Sequence, residues 1–187
     1  MTFRGVFVAG FALALFSSFG CGGGSDNGGG GPTPPALSCT EGGTGGSNIV
    51  TLECGGLINS TTERVDVVIE GPGSGTTTLR GLNFDVTYDP AKLEFVAASA
   101  TSPLFPDALI LTGLANGQQG RLIVAIQQPG DQGDVGVAAG VHPVFNLSFR
   151  RVGTDTFDPT PVSFERANAT AAVPTVTFAN GLSVGYQ

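Results

Sequence analysis

One histidine, two spaced pairs of acids and a few aromatic rings are the residues of this 187-residue chain that could act on a ligand. His142 is followed by Pro143 and precedes an alternating apolar run. A hydrolytic triad needs a nucleophile within reach of such a base, and a lone histidine in a loop is otherwise a solvated polar residue. Asp131 and Asp134, and Asp155 and Asp158, sit in stretches rich in Gly, Pro and Thr. Glycoside hydrolysis needs two carboxyl groups held across a cleft, which loop acids of this kind do not supply. Asp131 and Asp134 are candidates for a weak structural Ca²⁺, which takes several oxygen ligands; the alternative is a solvated acidic loop. Sugar binding uses flat aromatic rings as platforms. The chain has no Trp, and five of its 13 Phe fall within the first 19 residues. Phe105 and Phe157, with Tyr186, are the remaining candidates for sugar contact. These residues point to recognition rather than to bond-making, so an enzyme is the least supported class.

The net charge is −7 and only 12% of residues are charged. Nucleic acid is excluded as a partner, because phosphate binding needs concentrated Lys and Arg. The N-terminus has the plan of a secretory signal: Arg4, an uncharged apolar run from Gly5 to Phe19, then Gly20 and Cys21. The cysteine directly after this run resembles a bacterial lipoprotein signal. That resemblance implies cleavage before Cys21, lipidation of its sulfur, and stable attachment of the exported chain to the envelope by more than one acyl chain. The alternatives are an ordinary secretory signal with an incidental cysteine, or a short anchor below the ~20 residues that span a bilayer. Residues 1–20 are then the signal. Residues 21–36 form a Gly/Pro-rich tether with no apolar residue able to nucleate packing. Residues 37–187 are left as one domain.

Removing a lipidated Cys21 leaves Cys39 and Cys54, 15 positions apart across a Gly-rich loop. In an exported protein such an even remainder forms a disulfide. The alternative is a metal site, which needs more ligands than two thiolates.

Behind the tether the chain speaks in period two. Leu82, Phe84, Val86 and Tyr88 share one parity, and Asn83, Asp85 and Thr87 the other. This is the pattern of a half-buried strand, stopped by Asp89-Pro90. Leu93, Phe95 and Ala97 begin another. The same grammar marks 48–53, 64–70, 109–112, 121–127, 144–150, 161–165, 175–179 and 182–186. Asn116-Gly117 marks a turn, and Asn180-Gly181 predicts a closing hairpin, since both residues tolerate positive φ. About nine short strands and no long amphipathic helix predict an all-β protein, an antiparallel β-sandwich.

The run Gly81-Leu-Asn-Phe-Asp-Val-Thr-Tyr-Asp-Pro90, followed by Leu93-Glu-Phe95, resembles the third and fourth strands of cohesin domains. Gly120-Arg-Leu-Ile-Val-Ala-Ile126, Val144-Phe-Asn-Leu-Ser-Phe-Arg150 and Val176-Thr-Phe-Ala-Asn-Gly181 resemble their later strands in order, so that the resemblance covers residues 46–187. It implies a jelly-roll topology and a non-catalytic module that binds a protein partner carrying a dockerin-like segment. It also implies the docking face: the outward residues Gly81, Asn83, Asp85 and Thr87, extended by Ile123, Ala125 and Gln127, and by Asn146 and Ser148. Related folds bind carbohydrate, so a polysaccharide is the alternative partner, and a structural or adhesion domain of the envelope without a discrete ligand is a third reading. Ile123 and Ala125 are apolar on the parity away from the core, which independently marks them as covered by something: a partner, a loop or the tether.

Overall fold

The computed structural model describes residues 35–43, 45–100, 104–106, 108–179 and 181–186. The expected signal, Cys21 and the expected tether up to residue 34 lie outside the described residues.

Among the described residues thirteen strands form: β1 Leu37–Glu41, β2 Ile49–Asn59, β3 Thr62–Glu70, β4 Thr76–Leu79, β5 Gly81–Thr87, β6 Leu93–Ala100, β7 Leu109–Leu114, β8 Arg121–Gln127, β9 Val135–Ala138, β10 Val141–Arg151, β11 Thr160–Thr170, β12 Thr177–Phe178 and β13 Leu182–Tyr186. Asn116 and Gly117, at φ of 54° and 69°, turn the chain between β7 and β8. Among the described residues no helix is long and apolar enough to cross a membrane. The predicted sandwich is present, with three strands, β1, β4 and β9, that carry too little alternation to be seen in the sequence.

A six-stranded sheet runs β1-β13-β11-β5-β8-β7, and a five-stranded sheet runs β12-β2-β3-β10-β6. The β4–β9 pair stands apart. Every pairing is antiparallel except β12 with β2. The core lies between the two large sheets. Leu82, Phe84, Val86, Leu122, Val124 and Ile126 come from one sheet, and Val65, Val67, Ile69, Leu147 and Phe149 from the other, all essentially without solvent contact. Each such side chain contributes roughly 1.5–3 kcal/mol by burial. Phe84 meets Phe164 edge to face at 5.2 Å, an arrangement that the ring quadrupole favours.

The Tyr88-Asp89-Pro90 corner carries the chain from β5 in one sheet to β6 in the other. Tyr88 is buried and its hydroxyl bonds Gln119. Gln119 also accepts from the Phe95 amide at 2.9 Å, and Asp89 accepts from the Ala91 amide at 2.9 Å. Cys39 and Cys54 form the disulfide, with Cα atoms 5.7 Å apart, and it ties β1 to β2.

Two expectations are corrected by the topology. Asn180-Gly181 does not close a hairpin: β12 pairs with β2 in one sheet, and β13 pairs with β1 and β11 in the other. The crossing lets Phe178 pack against Phe164 at 5.4 Å and Phe84 at 6.4 Å, between the sheets. Asn146 and Ser148 lie on β10 in the five-stranded sheet, so they cannot share a face with Asn83.

Candidate partner-binding face

The outer surface of β11-β5-β8-β7 is built from the parity that the core leaves over. Register sets its rows. Asn83 is opposite Ala125 on β8 and Asn168 on β11, and Ala125 is opposite Leu111 on β7. Asp85 is opposite Ile123 and Glu165, and Ile123 is opposite Gly113. Gly81 is opposite Gln127, which is opposite Leu109. Thr87 is opposite Arg121 and Ser163. The six predicted residues Asn83, Asp85, Thr87, Ile123, Ala125 and Gln127 thus stand on two adjacent strands of one sheet face.

The face is apolar at one side and charged at the other. Leu109 and Leu111 are each 59% exposed and Ile123 is 47% exposed. Leu111, Gly113, Leu114, Ile123 and Ala125 line a shallow open depression of about 300 Å³. Water-exposed Leu and Ile side chains gathered on one sheet edge cost free energy that a partner would recover. Across the face Arg121 extends along the sheet surface. Its Nε donates to Asp85 Oδ2 at 2.9 Å, and the same nitrogen lies 3.5 Å from Glu165. The bonds to Asp85 raise the already high pKa of Arg121, so the guanidinium is charged throughout the physiological range.

This ion pair modifies the predicted face. Asp85 is on it by parity, but its side chain is only 10% exposed beneath Arg121, so Arg121 and Glu165 present the charge there. Gly81 is a glycine for a steric reason: a Cβ at that position would lie 2.3 Å from the Ile126 carbonyl oxygen. Asn83 is half-buried and donates to Thr170 Oγ1 at 3.3 Å. Leu109, Leu111 and Arg121 are additions to the predicted face. Arg121 has the parity of Ile123 and was legible. Leu109-Ile-Leu111 is apolar on both parities, so only the pairing with β8 tells its outer side.

The other candidates are placed elsewhere. Phe105 is 5% exposed and belongs to the core, so it offers no ring to a sugar. Phe157 is half-buried, with the Tyr186 ring edge-on at 5.2 Å and the Lys92 ammonium 5.9 Å from its centroid. Phe157, Tyr186, Lys92, Thr156, Asp158 and Pro35 line an open recess of about 560 Å³ at one end of the sandwich. Asp134 pairs with Arg80 at 2.8 Å, and among the described residues no group of three or more His, Cys, Asp and Glu is gathered. His142 lies within β10 rather than in a loop, with Nε2 3.0 Å from the Ala138 carbonyl oxygen.

No protein-family model matches the sequence, and no curated protein sequence matches it. Solved structures do match the fold. The sixth cohesin of scaffoldin B from Acetivibrio cellulolyticus, crystallised with a Cel5 dockerin, superposes with a TM-score of 0.54 at 19% identity, covering 73% of this chain and 97% of that one. A type II cohesin of the adaptor scaffoldin ScaA from the same organism gives 0.54 at 11% identity, over 74% and 91%. A type I cohesin from Clostridium thermocellum, in a cohesin–dockerin complex, gives 0.53 at 14%, over 77% and 97%. With its two packed, mainly antiparallel sheets and these superpositions, the chain has the cohesin fold.

Proposed function

We propose that this chain is a non-catalytic, lipid-anchored binding module of the bacterial envelope that captures a protein partner on the outer face of β11-β5-β8-β7. The observation that carries the reading is the juxtaposition of exposed Leu109, Leu111 and Ile123 with the Arg121–Asp85–Glu165 charge group on one sheet face. An exposed apolar patch beside fixed charges has the mixed composition of a protein-binding surface. The structural neighbours crystallised with dockerins support a partner of dockerin-like kind. Cys21 provides the attachment to the membrane, and the exported location agrees with the Cys39–Cys54 disulfide.

The polysaccharide reading is less supported, since Phe105 is in the core and the Phe157 ring is partly occupied by Tyr186 and Lys92. The test is capture by the full chain from envelope and secreted fractions of its own organism, with and without calcium. A discrete protein with repeated calcium-loop segments, retained only with calcium and lost with Ile123→Arg or Asn83→Arg, is the expected result. Retention of glycan alone, or of a protein indifferent to both substitutions, overturns the proposal.

A further inference from the structure

A second exposed apolar group lies where the described chain begins. The β2–β3 hairpin ends in Leu57 and Ile58, 48% and 56% exposed, followed by Asn59 and a turn at Ser60-Thr61. Asn59 Oδ1 accepts from the Thr61 amide and hydroxyl, each at 2.9 Å, and so holds the tip in shape. The Leu37 amide donates to the Ser60 carbonyl at 3.2 Å, which puts the start of β1 against this tip. The Arg151 amide donates to the Thr61 carbonyl at 3.0 Å, so Val152, 41% exposed, stands one residue beyond. Arg151 donates to the Tyr186 hydroxyl at 2.7 Å, and Lys92 lies over the Phe157 ring. One end of the sandwich therefore gathers apolar tips, aromatic rings and long cationic side chains around the start of β1.

This combination suits a lipid surface. Aliphatic tips enter the acyl boundary, while Tyr, Lys and Arg keep their polar ends at the headgroups. The 15 residues between Cys21 and Leu37, as a coil of their Gly/Pro-rich composition, reach only about 20 Å. An 11-residue strand such as β2 is itself roughly 36 Å long. An acylated Cys21 thus holds the hairpin-tip end near the bilayer, and the high effective concentration lets a contact too weak to bind free protein persist.

We infer that the Leu57-Ile58 hairpin tip, with Val152 and the Arg151–Tyr186 pair, is a membrane-resting surface that orients the anchored domain with its partner-binding face directed sideways and clear of the lipid. The inference rests on the proposal that Cys21 is lipidated. The chain contains no Trp, so Ile58→Trp and Val141→Trp each place a single reporter at an exposed site, the latter at the far end of β10, opposite Glu70. Full chain purified from the membrane fraction of an expressing bacterium is reconstituted into phosphatidylcholine vesicles with and without brominated acyl chains. The expected result is blue-shifted emission and bromolipid quenching at position 58, with neither at 141. Vesicle-bound protein unquenched at position 58, or quenched equally at both, overturns the orientation while leaving the anchor intact. Wild-type chain recovered in the soluble fraction, as Cys21→Ser is expected to be, overturns the anchoring reading and this inference with it.

Discussion

Arg121 on β8 lies across the sheet against Asp85 on β5, and the two are bonded through both Nε and a terminal guanidinium nitrogen. Asp85 is mostly covered while Arg121 is 29% exposed. The aspartate therefore depends on the arginine for its solvation, and removing the arginine leaves a covered carboxylate without its main partner. Arg121→Ala is expected to lower the urea midpoint, because it leaves that carboxylate without its partner. Urea unfolding of the variant measures it. The same logic makes Asn83→Arg or Ile123→Arg a cleaner probe of partner binding than any change at Asp85.

The Cys39–Cys54 disulfide closes a loop of 15 residues. In the chain-entropy model, replacing both cysteines with Ala is expected to cost about 3 kcal/mol. Thermal unfolding of the double variant, compared with wild type under oxidising and reducing conditions, reads this out. A reductant that lowers the wild type to the level of the variant identifies the bond as the source.

Phe105 and Phe157 looked alike as candidate sugar platforms and are expected to behave differently. Phe105→Ala empties a core site and is expected to cost about 3–5 kcal/mol. Phe157→Ala removes a half-buried ring at the rim and is expected to cost about 1 kcal/mol, near the average for substitutions. Denaturant midpoints of the two variants, taken with their glycan retention, separate a packing role from a ligand role.

Glu63 is 2% exposed on β3, and it accepts a hydrogen bond from the Gly56 amide at 3.0 Å. Burial raises its pKa above the usual carboxylate value, and the Gly56 bond only partly offsets this. The folded state then holds the Glu63 proton to higher pH than the unfolded chain does. Its contribution to stability is fully present below the unfolded pKa and is lost as pH rises through the folded one. Glu63→Gln keeps a carbonyl acceptor for Gly56 and carries no charge. It is expected to flatten the fall in stability between acidic and neutral pH, measured by urea unfolding across pH 4–8 (about the range over which carboxylates with raised pKa titrate).

The period-two patterns were enough to identify most strands and to sort their side chains into two faces, because alternation is a local property of extended backbone. Hence alternation alone places Leu82, Phe84 and Val86 inward and Asn83 and Thr87 outward. Cys39 and Cys54 were likewise legible, since they remain as a pair once Cys21 is set aside. What alternation does not encode is which strands lie side by side. Asn146 and Ser148 have the right parity and the wrong sheet. Asn180-Gly181 has the chemistry of a hairpin, but core packing of Phe178 draws β12 to the opposite layer. Leu111 joins the candidate face only through its pairing with Ala125, and Asp85 is covered only through an arginine 36 positions away. These outcomes depend on pairings between segments distant in sequence, set by the packing of both sheets at once.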